Sequence, residues 1–426
     1  MQPTIHRLCA GVESLTLPDA RFKTAQITVG LFLPLSRDTV EEYAILPRLL
    51  TRACAAYPDF TTLNRRLNEL YGASVTGQTM RVGEAQLLLL TAEATADRYA
   101  LHGEAVTASC AQLLCEMLFR PALENGAFRR EDVETERRCL AEDVRAQIND
   151  KRWYARRRAE ELLCPDEAYG IGQFGSAEVI EQLTPERVTA AWRRMLQCAT
   201  VRVMLQSDGA MPQVEEAFRR GFSEVEGRAP VPCVTDTTTH LPELRRHTER
   251  MAINQSKLVM GFRTGCAEPH EDVAATRLMN AVLGGTPSSL LFRNVREKLS
   301  LCYYCSSAYD RMKGLLLVQS GVDEVNAARA EEEILRQVEA LASGDFTEDD
   351  LEAARRCVTQ SFESVGDSQS ALAAWYITQT LLPQQSEPSD IRYAVETVDR
   401  EAVIRAAKRL RCECVYLLAQ EGRTDG

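Results

Sequence analysis

Phe128-Arg-Arg-Glu-Asp-Val-Glu-Thr-Glu-Arg-Arg-Cys-Leu140 lies without a gap on Phe346-Thr-Glu-Asp-Asp-Leu-Glu-Ala-Ala-Arg-Arg-Cys-Val358, at an offset of 218 residues. The aromatic, the acidic pair, the aliphatic at Val133 and Leu351, and the Arg-Arg-Cys triplet all coincide. A second match follows in the same order at an offset of 215, with Ile180–Met195 on Val395–Leu410. Within it Thr184 and Asp399 share a helix N-cap position, where a side-chain oxygen can accept a free N–H of the first turn. Each segment then runs into a β-rich stretch, Val201–Gly209 and Val415–Gly422. Two matches in one order at nearly one spacing mark a tandem duplication.

Working outward, the seam is legible as well. Ser223–Pro242 carries Pro230, Pro232, Pro242 and the run Thr237–Thr239, a composition that suits an extended linker. The expected organisation is a first domain over 1–222, a linker over 223–245 and a second domain over 246–426. Thr24–Leu33 alternates Ala25, Ile27, Val29, Leu31 and Leu33 with a more polar set, which predicts a half-buried strand. Val40–Ala55, Thr61–Tyr71 (opened by Pro58-Asp59 and stopped at Gly72) and the stretch near His102–Phe119 read as helices, and Leu87–Ala92 as a buried strand. Strands and helices are interspersed without a strict βαβ rhythm. The fold class is therefore α+β: two similar domains, each a mixed or antiparallel sheet covered by helices on one face.

Composition bounds the function. A net charge of −11 opposes general nucleic-acid binding, because such a chain repels phosphate. No stretch approaches the length of a membrane span, and Met1-Gln2-Pro3-Thr4-Ile5-His6-Arg7 offers no apolar run after a basic head. Fourteen scattered cysteines then read as reduced thiols, and a cytoplasmic location is expected. Cys302-x-x-Cys305 and Cys412-x-Cys414 sit in strand-like stretches without a second pair at zinc-ribbon spacing. Lys151–Arg158 has five basic residues in eight, but Glu160 and Glu161 follow, which fits a solvated helix face. Gly284–Ser289 lacks a P-loop lysine and reads as a helix C-cap, a turn and the N-cap of a helix over Leu290–Lys298.

Leu291-Phe-Arg-Asn-Val-Arg-Glu-Lys-Leu-Ser-Leu-Cys-Tyr303 resembles the second-half signature of the insulinase- or pitrilysin-type metallopeptidases, which include the mitochondrial processing peptidase. Gly172–Leu183, with Gly175, Ile180 and Leu183, resembles the segment before the last helix of that family's first half. Asn125–Val144 resembles the helix that carries its glutamate zinc ligand. The similarity spans nearly the whole chain and respects the duplication.

The family's zinc site uses His-x-x-Glu-His on one helix plus a distant glutamate. Two imidazoles four apart share a helix face, and the Glu between them activates water. Here the matching stretch is Ala44-Ile-Leu-Pro47-Arg48: both ligands are gone, Pro47 stands for the base, and Arg48 would repel a dication. Glu136 remains on the distal helix, and Asp143 replaces the family's ligand. The five histidines, His6, His102, His240, His247 and His270, offer no i,i+4 pair. No metal or cofactor is therefore expected in this chain. By the same resemblance Arg296 and Tyr303, seven apart, match the arginine and tyrosine with which active members bind the substrate carbonyl, a pair of donors suited to a developing negative charge. Tyr304 adjoins Tyr303, so strand register decides which ring is presented. The edge over Ser74–Arg81, with Thr76 where active members usually have asparagine, matches the strand to which the family adds peptides; Ser74 and Thr76 are the candidate substrate-binding residues.

Loss of the zinc motif with retention of Arg296 and Tyr303 implies a non-catalytic subunit. Its zinc would reside in a homologous partner, with peptides as substrates. Pro121–Phe128 and Asn149-Asp150-Lys151 are similar to a bacterial branch of zinc-less partners, some named for aminopentanol modification of elongation factor P. The alternatives are a self-sufficient zinc peptidase with an unrecognised site, and a homodimeric peptide-binding scaffold without hydrolysis.

Overall fold

The computed structural model of the chain describes residues 2–421, so Gly422, the expected end of the second β-rich stretch, lies outside the described residues. Two compact units form. The first takes the chain up to Arg145, Ile171–Val234 and Ser368–Leu381; the second takes Ala146–Gly170, Thr235–Asp367 and the chain from Leu382 onward.

The strands of the first unit are β1 (Thr4–Cys9), β2 (Val12–Pro18), β3 (Thr24–Pro34), β4 (Ser74–Val82), β5 (Ala85–Thr95), the short hairpin β6 (Leu123–Glu124) and β7 (Ala127–Phe128), and β8 (Thr200–Ser207). Six of them make one sheet in the order β1-β2-β8-β3-β5-β4, with β2 and β8 parallel and the other pairs antiparallel. The second unit holds β9 (Arg245–Met251), β10 (Ser256–Arg263), β11 (Cys302–Asp310), β12 (Leu315–Val322) and β13 (Arg411–Gln420) in the order β11-β12-β10-β13-β9, with β13 and β9 parallel. The orders β4-β5-β3-β8-β2 and β11-β12-β10-β13-β9 are one topology, with the parallel pair at the same end. The duplication read from sequence is thus a duplication of fold.

It extends to single hydrogen bonds. Thr184 and Asp399 both cap their helices, accepting from Arg187 N and Ala402 N. Arg137 donates to Leu183 O at 3.1 Å, and Arg355, its repeat equivalent, donates to Val398 O, the equivalent of Leu183, at 3.0 Å. The aligned Arg-Arg-Cys triplets therefore tie the same helix to the same turn in each half.

The units do not follow the sequence halves throughout. The helix Lys151–Leu163, capped by Asp150, belongs to the second unit, where it packs on β10 and β13. The helix Gln369–Gln379, capped by Ser368, belongs to the first unit, where it packs on β3 and β8. These helices begin 218 residues apart, so they are repeat equivalents exchanged between the two halves. A glycine on the central strand admits each one. A Cβ on Gly30 would stand 3.0 Å from Ile377, and one on Gly261 would stand 2.9 Å from Leu163.

The exchange corrects three expectations. β3 is not half-buried: Ile27, Val29, Leu31 and Leu33 enter the main core with Ile45, Leu49 and Trp192, while the opposite face lies under the Gln369 helix. Helices therefore cover both faces of the sheet rather than one. The basic run at 151–158 is not a wholly solvated face either, because Ala155, Ala159 and Leu163 enter a core with Val259, Leu317 and Tyr416, and Arg157 is buried against Glu160.

Local chemistry adjusts the helix limits. Asp59 caps Phe60–Glu69, accepting from Thr62 N, and the helix ends before Tyr71 and Gly72, both at positive φ. The helix expected from His102 begins only at Val106, after Gly103 at φ +73°. Linker residues 226–243 contain no helix or strand.

Candidate functional site

The segment expected to be one helix over Val40–Ala55 breaks into Val40–Ala44 and Leu46–Leu50. Pro47 explains the break, because it has no N–H to donate one turn back and its ring crowds that carbonyl. The residue in the place of a general base thus interrupts the helix whose continuity would align positions 44 and 48. Beside it runs β4, at the edge of its sheet. Gly77 on β4 permits the close approach, since a Cβ there would meet Pro47 O at 2.4 Å. Ala44, Pro47, Arg48, Gly77, Gln78, Thr79 and Phe174 line a cavity of about 230 Å³. Ser74 and Thr76 are exposed on the same strand.

The distal carboxylates do reach this corner, where they meet arginines. Arg48 Nη2 donates to Asp143 Oδ2 at 2.5 Å and its Nη1 lies 3.9 Å from Glu136. Arg52, one turn on, donates to Asp132 at 2.7 Å and to Glu136 at 2.8 Å, and Arg129 also bonds Asp132. Burial pulls the Arg52 guanidinium down, but its bonds to Asp132 and Glu136 outweigh this and hold it above its ordinary value. These donors do not fit a zinc ion. Ala44 and Arg48 cannot ligate, and both carboxylates are engaged by cations. Among the described residues no group of three or more His, Cys, Asp or Glu could hold a metal. Arg52, Arg129 and Asp132, half of this network, escape a motif-based reading because none occupies a ligand position. The Arg-x-x-x-Arg spacing from 48 to 52, facing acids on the Arg130–Ala146 helix, is the signal that could have found them.

Arg296 and Tyr303 lie in the second unit. Arg296 sits on a wide π-helical turn, Leu291–Lys298, preceded by another over Ala281–Gly285. Among the described residues the expected N-cap is absent: neither Leu290 nor Ser289 caps this turn, and Ser289 Oγ is buried without a hydrogen-bond partner. The Arg296 guanidinium is exposed, stacks at 4.5 Å on Phe292, and has no carboxylate within 4.0 Å among the described residues. Register separates the tyrosines. Cys302 pairs with Val322 and Tyr304 with Gly321, so Tyr303 is the extra residue of a β-bulge, a device that re-aims side chains. Tyr303 is 62% exposed, whereas Tyr304 lies half-buried between Arg152 and Lys257. Burial pushes the Tyr304 phenol up to about 12. The bulge also sets Cys302 and Cys305 on one face. A hydrogen bond from Cys305, with Ser320 and Arg296 nearby, draws the Cys302 thiol down to about 7, and the same bond and burial push Cys305 well up.

The chain is thus a duplicated α+β protein in which the corner matching that family's metal site is closed by ion pairs. Comparison with known proteins agrees. The family model described as "Peptidase M16 inactive domain" matches residues 182–357. "Probable inactive metalloprotease YmfF" of Bacillus subtilis (strain 168) is 27% identical over 408 residues, 96% of each chain. A crystal structure of a conserved protein from Enterococcus faecalis V583 superposes with a TM-score of 0.92 at 24% identity, covering 100% of both chains. A protease from Helicobacter pylori superposes at 0.77 with 15% identity, over 98% of this chain and 100% of that one. Over residues 182–357 the chain is thus similar to the inactive domain of M16 peptidases, and over nearly its whole length to a probable inactive metalloprotease. Among the described residues, no helix is long and apolar enough to cross a membrane.

Proposed function

We propose that this chain is the non-catalytic subunit of a cytoplasmic, heterodimeric M16-type peptidase. In this reading it presents Arg296 and Tyr303, and half of a peptide chamber, to a homologous zinc-bearing partner. The observation that carries the proposal is the contrast between two sets of residues. Arg48 closes the corner that matches the metal site by bonding Asp143 and approaching Glu136, whereas Arg296 and Tyr303 stay exposed and, among the described residues, bonded to no carboxylate. A guanidinium and a phenol can donate to a carbonyl oxygen as it gains negative charge. Ser74 and Thr76, on the open edge of β4, would help hold an extended peptide by main-chain bonds.

The test is reconstitution. Alone, with or without added zinc, the chain should hydrolyse no peptide. Mixed with a homologue from the same cell that carries His-x-x-Glu-His, it should restore hydrolysis of short unfolded peptides. Arg296→Ala or Tyr303→Phe should then lower turnover by about 10²–10³-fold, the scale for one oxyanion donor, with assembly intact by mass. Full activity of both variants would reduce the chain to a scaffold, and zinc-dependent activity of the chain alone would overturn the proposal.

A further inference from the structure

Lys257, Gly321 and Tyr304 form one row across β10, β12 and β11, and Val259, Gln319 and Ser306 form the row two residues along. Both rows therefore point to one face, the face covered by the Lys151–Leu163 helix. The absence of a side chain at Gly321 is what lets the Tyr304 ring lie there, since a Cβ would stand 2.5 Å from Tyr304 Cε1. Arg152, in the first turn of the helix, stacks over that ring at 4.5 Å. Its fork is fixed by donation to Gln319 Oε1 at 3.0 Å and Ser306 Oγ at 3.1 Å. Lys257 Nζ lies 5.7 Å from the same ring and donates to Gln255 Oε1.

The charges here do not balance. Among the described residues neither exposed Arg152 nor half-buried Lys257 has a carboxylate within 4.0 Å, whereas the buried cations Arg263 and Lys313 are both paired with Glu167. Asp150 is an acid whose charge acts on Lys257, and its Oδ1 is engaged in capping the helix through Arg152 N and Trp153 N. Burial, and then the neighbouring Arg152, hold the Lys257 ammonium below its ordinary value although Asp150 pulls the other way, so a further anion would relieve the repulsion. Tyr304, kept neutral by burial, offers a hydroxyl donor. Its backbone neighbour is Tyr303.

We propose that Arg152, Lys257 and the Tyr304 hydroxyl form a subsite for a carboxylate. A planar, prefixed guanidinium matches that group bidentately, and a flexible ammonium adds a point charge. That the carboxylate belongs to a peptide rests on the function proposed above; the anion site does not.

The test is equilibrium binding to the full chain without any partner, so its outcome is separate from that of reconstitution. Isothermal titration at low ionic strength would compare three versions of an alternating Ala/Ser nonapeptide: free C-terminus, C-terminal amide, and amide with one central Glu. At least one carboxylate version should bind about tenfold or more tightly than the neutral amide, and the preference should shrink with salt. Tighter binding of the free C-terminus assigns the site to chain ends, and tighter binding of the Glu peptide assigns it to acidic side chains. Lys257→Gln and Arg152→Gln should each remove the preference without changing the amide's affinity, while Lys257→Arg should keep it. Circular dichroism would check folding. Equal binding of all three peptides, no binding at all, or a preference that survives both Gln variants would overturn the proposal.

Discussion

Arg48 and Arg52 stand one turn apart and face the same acids, yet their removal should have unequal consequences. Arg52 bonds Asp132 and Glu136, whose side chains are 9% and 14% exposed, at 2.7 and 2.8 Å. Truncating it leaves two largely buried carboxylates short of a partner, a loss of several kcal/mol where no other cation is near. Here Arg129 still reaches Asp132 at 2.6 Å and Arg48 lies 3.9 Å from Glu136, so Arg52→Ala should cost about 2 kcal/mol. Arg48 bonds Asp143 at 2.5 Å, but Asp143 is 61% exposed and water can replace the guanidinium. Arg48→Ala should therefore cost about 0.5–1 kcal/mol, the range of exposed pairs. The double variant leaves Glu136 with neither cation and should exceed the sum by about 0.5–1 kcal/mol. Urea denaturation followed by fluorescence of Trp192, buried in the same unit, measures all three. If Arg48→Ala costs as much as Arg52→Ala, or if the two add without excess, the division of labour argued here is wrong.

Asp350 supplies a pH-dependent counterpart. A hydrogen bond from Arg293, helped by Thr347, draws its carboxyl from 3.8 down to about 2, so its stabilisation is full above 3.8 and is lost as pH falls toward 2. Asp350→Asn should cost roughly 1 kcal/mol at pH 6, and thermal melts of variant and parent should converge between pH 4 and 2. Gly261→Val should drive a side chain into Leu163 and destabilise the second unit by about 1–3 kcal/mol, read as earlier hydrogen exchange in the Lys151–Leu163 helix; unchanged exchange would refute the close approach. Peptide bound along β4 should lose affinity when proline is placed at alternate positions, and a flat proline scan would count against strand addition.

Much of this was legible because duplication writes the same physical solution twice. Thr184 and Asp399, or Arg137 and Arg355, recur because one cap and one helix-to-turn bond serve both halves. The exchange of the Lys151 and Gln369 helices was not legible. Helical periodicity shows that a face is apolar, not which sheet it meets, and Gly30 and Gly261 read as ordinary strand glycines until the helices are in place. The missing zinc motif was plain at Ala44, Pro47 and Arg48. That its acids are bound by Arg48 and Arg52 depends on tertiary pairing across 80 residues or more. The choice between Tyr303 and Tyr304 hung on a β-bulge, which no residue type announces. Arg152 was passed over because a basic run followed by glutamates resembles a solvated face. Its neighbours in space come instead from β11 and β12.

The charges at the corner that matches the family's metal site bear on whether ligands alone would make it bind one. Arg48, Arg52 and Arg129 face Asp132, Glu136 and Asp143, three cations against three anions, joined in one network. A dication added there would find acids whose charge the guanidiniums already neutralise, and so no net attraction. Imidazoles at 44 and 48 would not suffice to restore it, because Pro47 divides the helix that must align them and packs directly on Gly77. Binding a metal here would thus require removing a cation, introducing two ligands and rebuilding a helix against β4, changes that are physically coupled. Arg296 is under no such constraint. It stacks on Phe292, and among the described residues no acid engages its N–H donors, which is the state a group needs if it is to meet a charge that develops on something else.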